Sequence, residues 1–265
     1  MSLIVTKTSF DIARKPILRA VDFRAEPGEI TAIVGPNGSG KTSLLRAISG
    51  DIRASGEISI NGRNIAATKA AELARIRGVL AQSTQVAFDF TAFEVVRFGL
   101  RAGVHANNPD LPHAALSKVG LAGFADRYYL ELSGGEQQRV QLARVLTQVW
   151  EPVFDGEASW LLLDEPVASL DIGHQLEIVE LLRDYVERGG GVVAVMHDLN
   201  LTAMMADKVA VMQSGRVLEV GPIQEVINDA TLSHAYDCQL RVGEVPSASA
   251  APFVLPQTAL PKTFR

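Results

Sequence analysis

The stretch GPNGSGKT, residues 35–42, constrains the fold of this chain more than any other. It fits the pattern G-x-x-x-x-G-K-[ST]. Before it stands EITAIVG, an apolar run that is typical of a strand buried on both faces. After it stands KTSLLRAISG, which predicts a helix ending at Gly50. A strand, a glycine-rich loop and a helix in this order indicate a phosphate-binding unit, because backbone N–H groups converge at the start of the helix.

This loop carries the groups that a magnesium-bound nucleoside triphosphate requires. Its glycines let N–H groups wrap around phosphates, Lys41 brings a positive charge to the β and γ groups, and Thr42 offers Mg²⁺ a hydroxyl. The residues expected to bind nucleotide in this loop are Gly35, Pro36, Asn37, Gly38, Ser39, Gly40, Lys41, Thr42 and Ser43.

A second buried strand, WLLLDEP, supplies the acids that such a site needs. Asp164 is expected to hold the metal and its waters. Glu165 follows directly and is placed to orient or deprotonate an attacking water. If the pair is considered without the glycine-rich loop, the alternative is that both residues are solvated acids at the end of a strand.

Three further candidates follow strands or precede a helix, where α/β folds gather their ligands. Gln82 follows GVLA, and its amide could contact both metal and water; a surface glutamine is the alternative. His197 follows VVAVM and could reach the γ-phosphate; a structural histidine is the alternative. Asp171 precedes an amphipathic run and could simply cap that helix.

The segment LELSGGEQQRVQLARVLTQ raises a different question. Ser133 and Glu136 have the spacing of a capping box, which predicts a helix. Gly134 and Gly135 then occupy its first turn, although each costs about 1 kcal/mol relative to alanine. Two N-terminal amides without side chains over them indicate that an anion approaches here.

The order of elements predicts a mostly parallel α/β sheet, because strands alternate with helices. Residues 3–25 predict two paired strands, and GEISINGRNI predicts a hairpin turning at Asn61-Gly62. Residues 91–148 are helical in pattern, which indicates a helical subdomain inserted into the sheet. The end of the chain, PSASAAPFVLPQTALPKTFR, is rich in Pro, Ala and Ser and is expected to pack little.

Composition narrows the classes of function. The net charge of −5 and the lack of a basic stripe argue against a nucleic-acid partner. Cys238 is the only cysteine, so no disulfide forms within one chain and a reducing compartment is favoured. No apolar run is long enough to span a bilayer, and the N-terminus does not have the pattern of a signal peptide. Docking on a membrane protein remains compatible with this composition.

These motifs, in this order, resemble the ATP-binding subunit of an ABC transporter over about residues 3–240. GPNGSGKT is similar to Walker A, Gln82 to the Q-loop, LSGGEQQR to the ABC signature, LLLDEP to Walker B, ASLD to the D-loop and His197 to the switch histidine. The resemblance implies a P-loop NTPase core (1–85 and 150–240), an antiparallel β subdomain, a helical subdomain (about 86–149) and a tail (241–265).

The resemblance also implies how the protein works. Two copies would pair head to tail with two ATP molecules between them. The signature residues Ser133, Gly134 and Gly135 would contact the γ-phosphate of the partner's ATP, and Asp171 would link the two sites. Closing on ATP would drive a membrane permease dimer. Thr42, Gln82 and Asp164 would hold Mg²⁺, with Glu165, His197 and Gln82 in catalysis.

The segment VLAQSTQVAFDFTAFEVVRFGL, after the Q-loop, resembles importers of iron chelates, heme and cobalamin. The stretch VLTQVWEPVFDGEASWLLLDEP is longer than in most ABC ATPases, and GGEQQRVQLARVL with this extension is most similar to the heme importers. The resemblance therefore implies hemin as cargo, a periplasmic heme-binding protein as an indirect partner, and a position on the cytoplasmic face of the bacterial inner membrane. Siderophore or cobalamin import, a soluble ABC ATPase and a regulatory module without turnover are the alternatives.

The chain departs from the family pattern at three places. An aromatic residue usually stacks on adenine, but Ile12 occupies the corresponding position, with Phe10 two residues earlier as another candidate. Glu136 stands where glutamine is commonest in the signature. Val167 stands where threonine usually follows the Walker B proline. None of these changes removes a phosphate or metal ligand.

Overall fold

Runs of wholly buried apolar residues form the central strands of the computed structural model, which describes residues 1–82, 89–245 and 254–258. Every residue of three five-residue strands is buried. They belong to a sheet of order β12-β11-β3-β10-β9-β6, parallel except for β12. Its strands are β3 (Ile30–Val34), β6 (Arg77–Leu80), β9 (Trp160–Asp164), β10 (Gly191–Val195), β11 (Lys208–Gln213) and β12 (Arg216–Pro222).

A second, antiparallel sheet has the order β2-β1-β4-β5. Asn61 and Gly62 both have positive φ, at 52° and 77°, as a two-residue hairpin loop of type I′ requires. The predicted hairpin at Asn61-Gly62 is therefore confirmed. The strands of this sheet are β1 (Leu3–Ile12), β2 (Lys15–Ala25), β4 (Ser55–Ile60) and β5 (Arg63–Asn64).

The central sheet is buried on both faces because each face packs against a different layer. Leu161 and Leu163 of β9 join the core that holds the helices of residues 92–148. Trp160 and Leu162 join the core under the antiparallel sheet. The helices are α1 (Lys41–Ser49), α2 (Ala70–Ala74), α3 (Ala92–Ala102), α4 (Leu111–Lys118), α5 (Gly134–Gln148), α6 (Ile172–Glu187), α7 (Leu199–Met205), α8 (Ile223–Val226) and α9 (Asp229–Tyr236).

The helical layer expected from residue 91 onward consists of α3, α4 and α5. Helix α3 approaches α5 at backbone distance because it carries glycine at positions 99 and 103. A Cβ at Gly99 would overlap the carbonyl oxygen of Arg144, and one at Gly103 would overlap that of Gln148. The expected boundary between residues 85 and 86, and part of the segment after Gln82, lie outside the described residues.

The long stretch between α5 and β9 folds as a small hairpin that the sequence did not predict. Its strands are β7 (Val153–Phe154) and β8 (Glu157–Ala158). Arg63 of the antiparallel sheet donates two hydrogen bonds to Glu157, at 2.5 and 2.8 Å. The extension therefore links the central sheet to the antiparallel one.

The tail contacts the rest of the chain where it is described. Residues 256–258 form a 3-10 turn, and the Gln257 side-chain amide donates to the carbonyl of Asn200 in α7 at 3.1 Å. None of these three residues is buried, so this contact does not contradict the expectation that the tail packs little. Among the described residues, no helix is long and apolar enough to cross a membrane.

Gly99→Ala should destabilise the protein by at least about 2 kcal/mol, because the added methyl group forces α3 away from α5. The matched control is Gly173→Ala in α6, whose Cβ would lie 3.5 Å from the nearest atom outside its neighbours and helix. That change should be neutral or stabilising by up to about 1 kcal/mol. Urea unfolding measures both, and equal stability of the two variants would contradict the close approach of α3 and α5.

Candidate nucleotide-binding and hydrolysis site

The glycine-rich loop connects β3 to α1, as the sequence predicts. Gly35 has φ 144°, and a Cβ there would overlap the carbonyl oxygen of Met212 in β11. Gly40 is the N-cap of α1 and is left-handed, at φ 103°. The loop is held from outside by the N–H of Gly215, which donates to the Ser39 carbonyl at 2.9 Å. Glycine is therefore required at both ends of the loop.

The side chain of Lys41, the first residue of α1, folds back into the glycine-rich loop. Its ammonium group donates to the carbonyls of Gly35 and Pro36, at 2.9 and 3.1 Å. Burial lowers the pKa of Lys41, and the nearby carboxylates of Glu165 and Asp164 oppose that shift. In the described part of the chain, the buried hydroxyl of Ser39 has no hydrogen-bond partner.

Thr42 and Asp164 form a pair of oxygen ligands. The Thr42 hydroxyl donates to Asp164 Oδ1 at 3.3 Å, and Asp164 is only 3% exposed. Burial raises the pKa of Asp164, while the hydrogen bond from Thr42 opposes this. A buried carboxylate beside a hydroxyl is the type of hard oxygen donor set that Mg²⁺ prefers. The residues present therefore fit the expected metal.

Side chains from three strand ends meet at one point, where Gln82 and His197 both contact the Glu165 carboxylate. Gln82, two residues after β6, donates its amide to Glu165 Oε1 at 2.9 Å. His197, two residues after β10, has Nε2 2.7 Å from the same oxygen. Both bonds are made to Oε1, so neither of them involves Oε2 of Glu165. The structure thus brings together the three residues that the sequence singled out for catalysis.

The adjoining cleft has a volume of about 340 Å³. Ile12 borders it and is 54% exposed, whereas Phe10 packs against the core under the antiparallel sheet. Of the two candidates for contact with adenine, Ile12 is therefore the one at the cleft. The residues lining the cleft are Ile12, Ile17, Asn37, Gly38, Gly40, Lys41, Thr42, Ser43, Gln82, Glu165 and His197.

The signature forms the predicted capping box at the start of α5. Ser133 Oγ accepts from the N–H of Glu136 at 3.3 Å, and Glu136 Oε2 accepts from the N–H of Ser133 at 2.7 Å. The hydrogen bonds from Ser133 lower the pKa of Glu136. Ser133 and Glu136 therefore fix each other's side chains, while the glycines between them leave the N–H groups of the first turn without side chains over them.

The two glycines of that turn have different reasons to be glycine. A Cβ at Gly135 would lie 2.9 Å from the Ser169 carbonyl oxygen of this chain, so packing alone requires glycine there. A Cβ at Gly134 would meet nothing within 4 Å. Packing among the described residues thus leaves Gly134 unexplained, and an approaching ligand is the remaining reason.

Asp171 caps α6. Its Oδ1 accepts from the N–H of His174 at 2.9 Å, and its Oδ2 lies 2.9 Å from His174 Nδ1. These two hydrogen bonds lower the pKa of Asp171. The side chain is 70% exposed, so the cap leaves it accessible from outside.

The signature and the D-loop share one surface hollow. The residues lining it are Ser133, Gly134, Gly135, Glu136, Arg139, Ser169, Leu170, Asp171 and His174. None of them lines the nucleotide cleft of the same chain. Within the described residues, the bare amides therefore face a different surface from the P-loop.

Sequence reasoning missed two side chains of this region. Gln138 donates its amide to the Glu165 carbonyl at 2.6 Å, and His174 holds Asp171. The contact of His174 follows locally from the predicted cap at Asp171, three residues earlier. The contact of Gln138 has no local sign in the sequence, because it depends on how α5 lies against the loop after β9.

A family model described as ABC transporter matches residues 18–168. The chain therefore belongs to the ABC transporter family, as an ATP-binding cassette with the P-loop NTPase fold. Its reaction is ATP hydrolysis. Comparison with a nucleotide-free ATP-binding cassette from an ABC transporter gives a TM-score of 0.74 at 22% identity, covering 89% of this chain and 98% of that one.

Relatives of known name are similar over nearly their whole length. The hemin import ATP-binding protein HmuV of Roseobacter denitrificans is 58% identical over 259 residues, which are 98% of this chain and 99% of the relative. HmuV of Rhizobium leguminosarum is 50% identical, covering 97% and 98%. CbiO1 from Clostridium perfringens, part of the ABC transporter complex cbiONQ, gives a TM-score of 0.70 at 27% identity, covering 88% of this chain and 92% of that one.

Asp164→Asn should raise the melting temperature of the nucleotide-free protein at pH 7. The pKa of Asp164 is raised by folding, so stability falls as the pH rises through that pKa and the buried carboxyl ionises. The gain should shrink as the pH is lowered from 7, because the carboxyl then regains its proton. Thermal unfolding across this pH range measures the effect.

Asp229→Asn is the control with the opposite sign. Hydrogen bonds from Val242 and Arg241 lower the pKa of Asp229, so its ionised form stabilises the fold. This substitution should lower the melting temperature at pH 7. If Asp164→Asn also lowered the melting temperature, the inference that burying the Asp164 carboxylate destabilises the protein would be refuted.

Proposed function

We propose that this chain is the ATP-hydrolysing subunit of an ABC importer that takes up hemin. The assignment of hemin as the cargo rests on the similarity, at 50–58% identity over nearly the whole chain, to proteins named as hemin import ATP-binding proteins. The ATPase chemistry follows from the convergence of Gln82 and His197 on Glu165 beside the P-loop. Siderophore and cobalamin import are the alternatives that the transport experiment below separates.

The proposed assembly contains two copies of this chain and a membrane permease dimer, at the cytoplasmic face of the inner membrane. A periplasmic heme-binding protein would deliver the cargo, and nucleic acid has no role. Within the chain we propose a nucleotide-binding core (1–85 and 150–240), a helical subdomain (86–149) and a tail (241–265).

In the proposed reaction, Glu165 accepts a proton from the water that attacks the γ-phosphate of ATP. Gln82 and His197 hold one carboxylate oxygen, which fixes the direction of the other. Lys41 already carries its ammonium group inside the phosphate loop, so it needs little reorganisation to stabilise charge on the phosphates.

Thr42, Asp164 and Gln82 are the proposed ligands of Mg²⁺. When bound, this ion neutralises charge on the phosphate oxygens. The chain contributes a buried carboxylate and a hydroxyl that already lie 3.3 Å apart. Burying the charged Asp164 carboxylate costs free energy. A bound cation would offset that cost, which is a further reason for the site to favour one.

We propose that Ser133, Gly134 and Gly135 bind the γ-phosphate of the partner's ATP, with Asp171 reaching across the dimer. The separation of the signature hollow from this chain's own nucleotide cleft supports an intermolecular role. Closure is then a two-state change that ATP favours, because only the closed dimer completes both sites.

Hemin uptake into proteoliposomes containing the permease, its heme-binding protein and this chain should require ATP. Glu165→Gln should lower the ATPase rate about a hundredfold or more, since it removes the base, and uptake should stop with it. ATP binding should persist because Lys41 and Thr42 are unchanged. Uptake of radiolabelled hemin and phosphate release are the two measurements.

Ferric siderophore and cobalamin serve as competing cargoes in the same vesicles. Transport of either one in place of hemin would overturn the cargo, while leaving the ATPase intact. Unchanged turnover in Glu165→Gln would overturn the assigned base. Stimulation of the ATPase by nucleic acid would argue for a soluble ABC ATPase instead.

Gly134→Asp should abolish ATP-dependent dimerisation and lower turnover, while ATP binding to the monomer stays within about twofold. A Cβ at this position meets no atom within 4 Å, so the side chain should be accommodated, but its charge would repel the partner's phosphate. Gly134 is a better probe than Gly135, where Ser169 would also be displaced. Analytical ultracentrifugation with and without ATP measures the dimer.

Ser117→Asp adds the same charge to an exposed position of α4 and should leave dimerisation unchanged. Dimerisation of Gly134→Asp at the wild-type ATP concentration would contradict the intermolecular phosphate contact.

A further inference from the structure

The backbone of Glu165 adopts an unusual conformation. Its φ is 52°, in the left-handed region that residues with a Cβ seldom occupy. Such a conformation persists only where surrounding contacts hold it. Because the side chain leaves the backbone at an angle set by this conformation, whatever holds the backbone also aims the carboxylate.

Three hydrogen bonds hold the peptide groups of Glu165. Its N–H donates to the Val195 carbonyl of β10 at 3.1 Å. Its carbonyl accepts from the N–H of Ala168 at 3.1 Å and from the side-chain amide of Gln138 at 2.6 Å. The first two come from the sheet and from the same turn. Gln138 alone among these partners belongs to the helical layer.

Helix α5 therefore contacts the segment after β9 at two points. Gln138 binds the Glu165 carbonyl, and one turn earlier Gly135 lies against the Ser169 carbonyl. The same helix begins with Ser133 and Gly134 at the signature hollow. The helix therefore joins the signature hollow to the backbone of Glu165 through two direct contacts.

We propose that Gln138 is a positioning residue for ATP hydrolysis, which connects the signature helix to the base of the same chain's own site. This rests on the proposed function, in which Glu165 is the base. Gln138 contacts neither nucleotide nor water in this assignment. It fixes the peptide of Glu165 from one side, while Gln82 and His197 fix its carboxylate from the other.

The consequence concerns communication between the two sites of the proposed dimer. The partner's ATP would bind to the N-terminus of α5, and Gln138 would pass the resulting position of the helix to Glu165. The position of the base in one subunit would then respond to whether the signature of that same subunit is engaged.

The test replaces Gln138 with methionine, which has a similar length but no N–H to donate. Gln138→Met should lower kcat at least about tenfold, because a small misplacement of a catalytic group costs that much or more. Its ATP affinity should stay within about twofold of the wild type. It should still form the ATP-dependent dimer, because the signature is unaltered.

Gln138→His is the rescue variant, since its Nε2–H reaches about as far as the glutamine amide, and it should recover most of kcat. Gln148→Met is the matched control. Gln148 lies at the other end of α5 and donates to the carbonyls of Ala74 and Arg77, at 2.9 and 2.8 Å. That change should lower the melting temperature without lowering kcat.

Wild-type kcat in Gln138→Met would overturn the inference, and so would a kcat loss that Gln148→Met reproduces. Failure of Gln138→Met to dimerise with ATP would also overturn it, because the defect would then lie in the signature contact. If Gln138→Met misfolds, Gln138→Leu, which also has no N–H to donate, replaces it: wild-type kcat in the folded variant overturns the inference, and a loss of kcat that Gln138→His does not share supports it. Full turnover in Glu165→Gln would instead overturn the proposed function.

Discussion

The parallel register of β3, β10 and β9 is the constraint on which the site depends. Val195 of β10 lies opposite Ile33 on one side and Asp164 on the other. The three strands therefore end at the same level. The phosphate loop, the acids after β9 and His197 all emerge at one edge of the sheet, so residues distant in sequence meet within hydrogen-bond distance without any adjustment of the strands.

Burial on both faces gives this register its rigidity. Along β9, alternate side chains enter two different cores, one under the helices and one under the antiparallel sheet. A slip by one residue would exchange these two sets, which differ in size and surroundings. The layers that cover the sheet thus also fix the positions of Asp164 and Glu165 at its end.

The helical layer connects the hydrolysis site to a second surface. Helix α5 presents Gly134 outward at its first turn and holds the Glu165 carbonyl through Gln138. The loop after β9 likewise runs from Glu165 to the exposed Asp171. Two elements, helix α5 and the loop after β9, therefore connect the hydrolysis site to the signature surface, as the proposed dimer would require.

The sequence by itself determined the buried strands, the phosphate loop, the capping box at Ser133 and Glu136 and the identity of the family, because each depends on neighbouring residues and their spacing. The tertiary structure decided which side chains meet at Glu165, why Gly135 differs from Gly134, and that Ile12 rather than Phe10 borders the cleft. It also revealed the hairpin at residues 153–158 and the contact of Gln138. These features depend on the angles at which separate elements pack, and no local pattern in the chain encodes such angles.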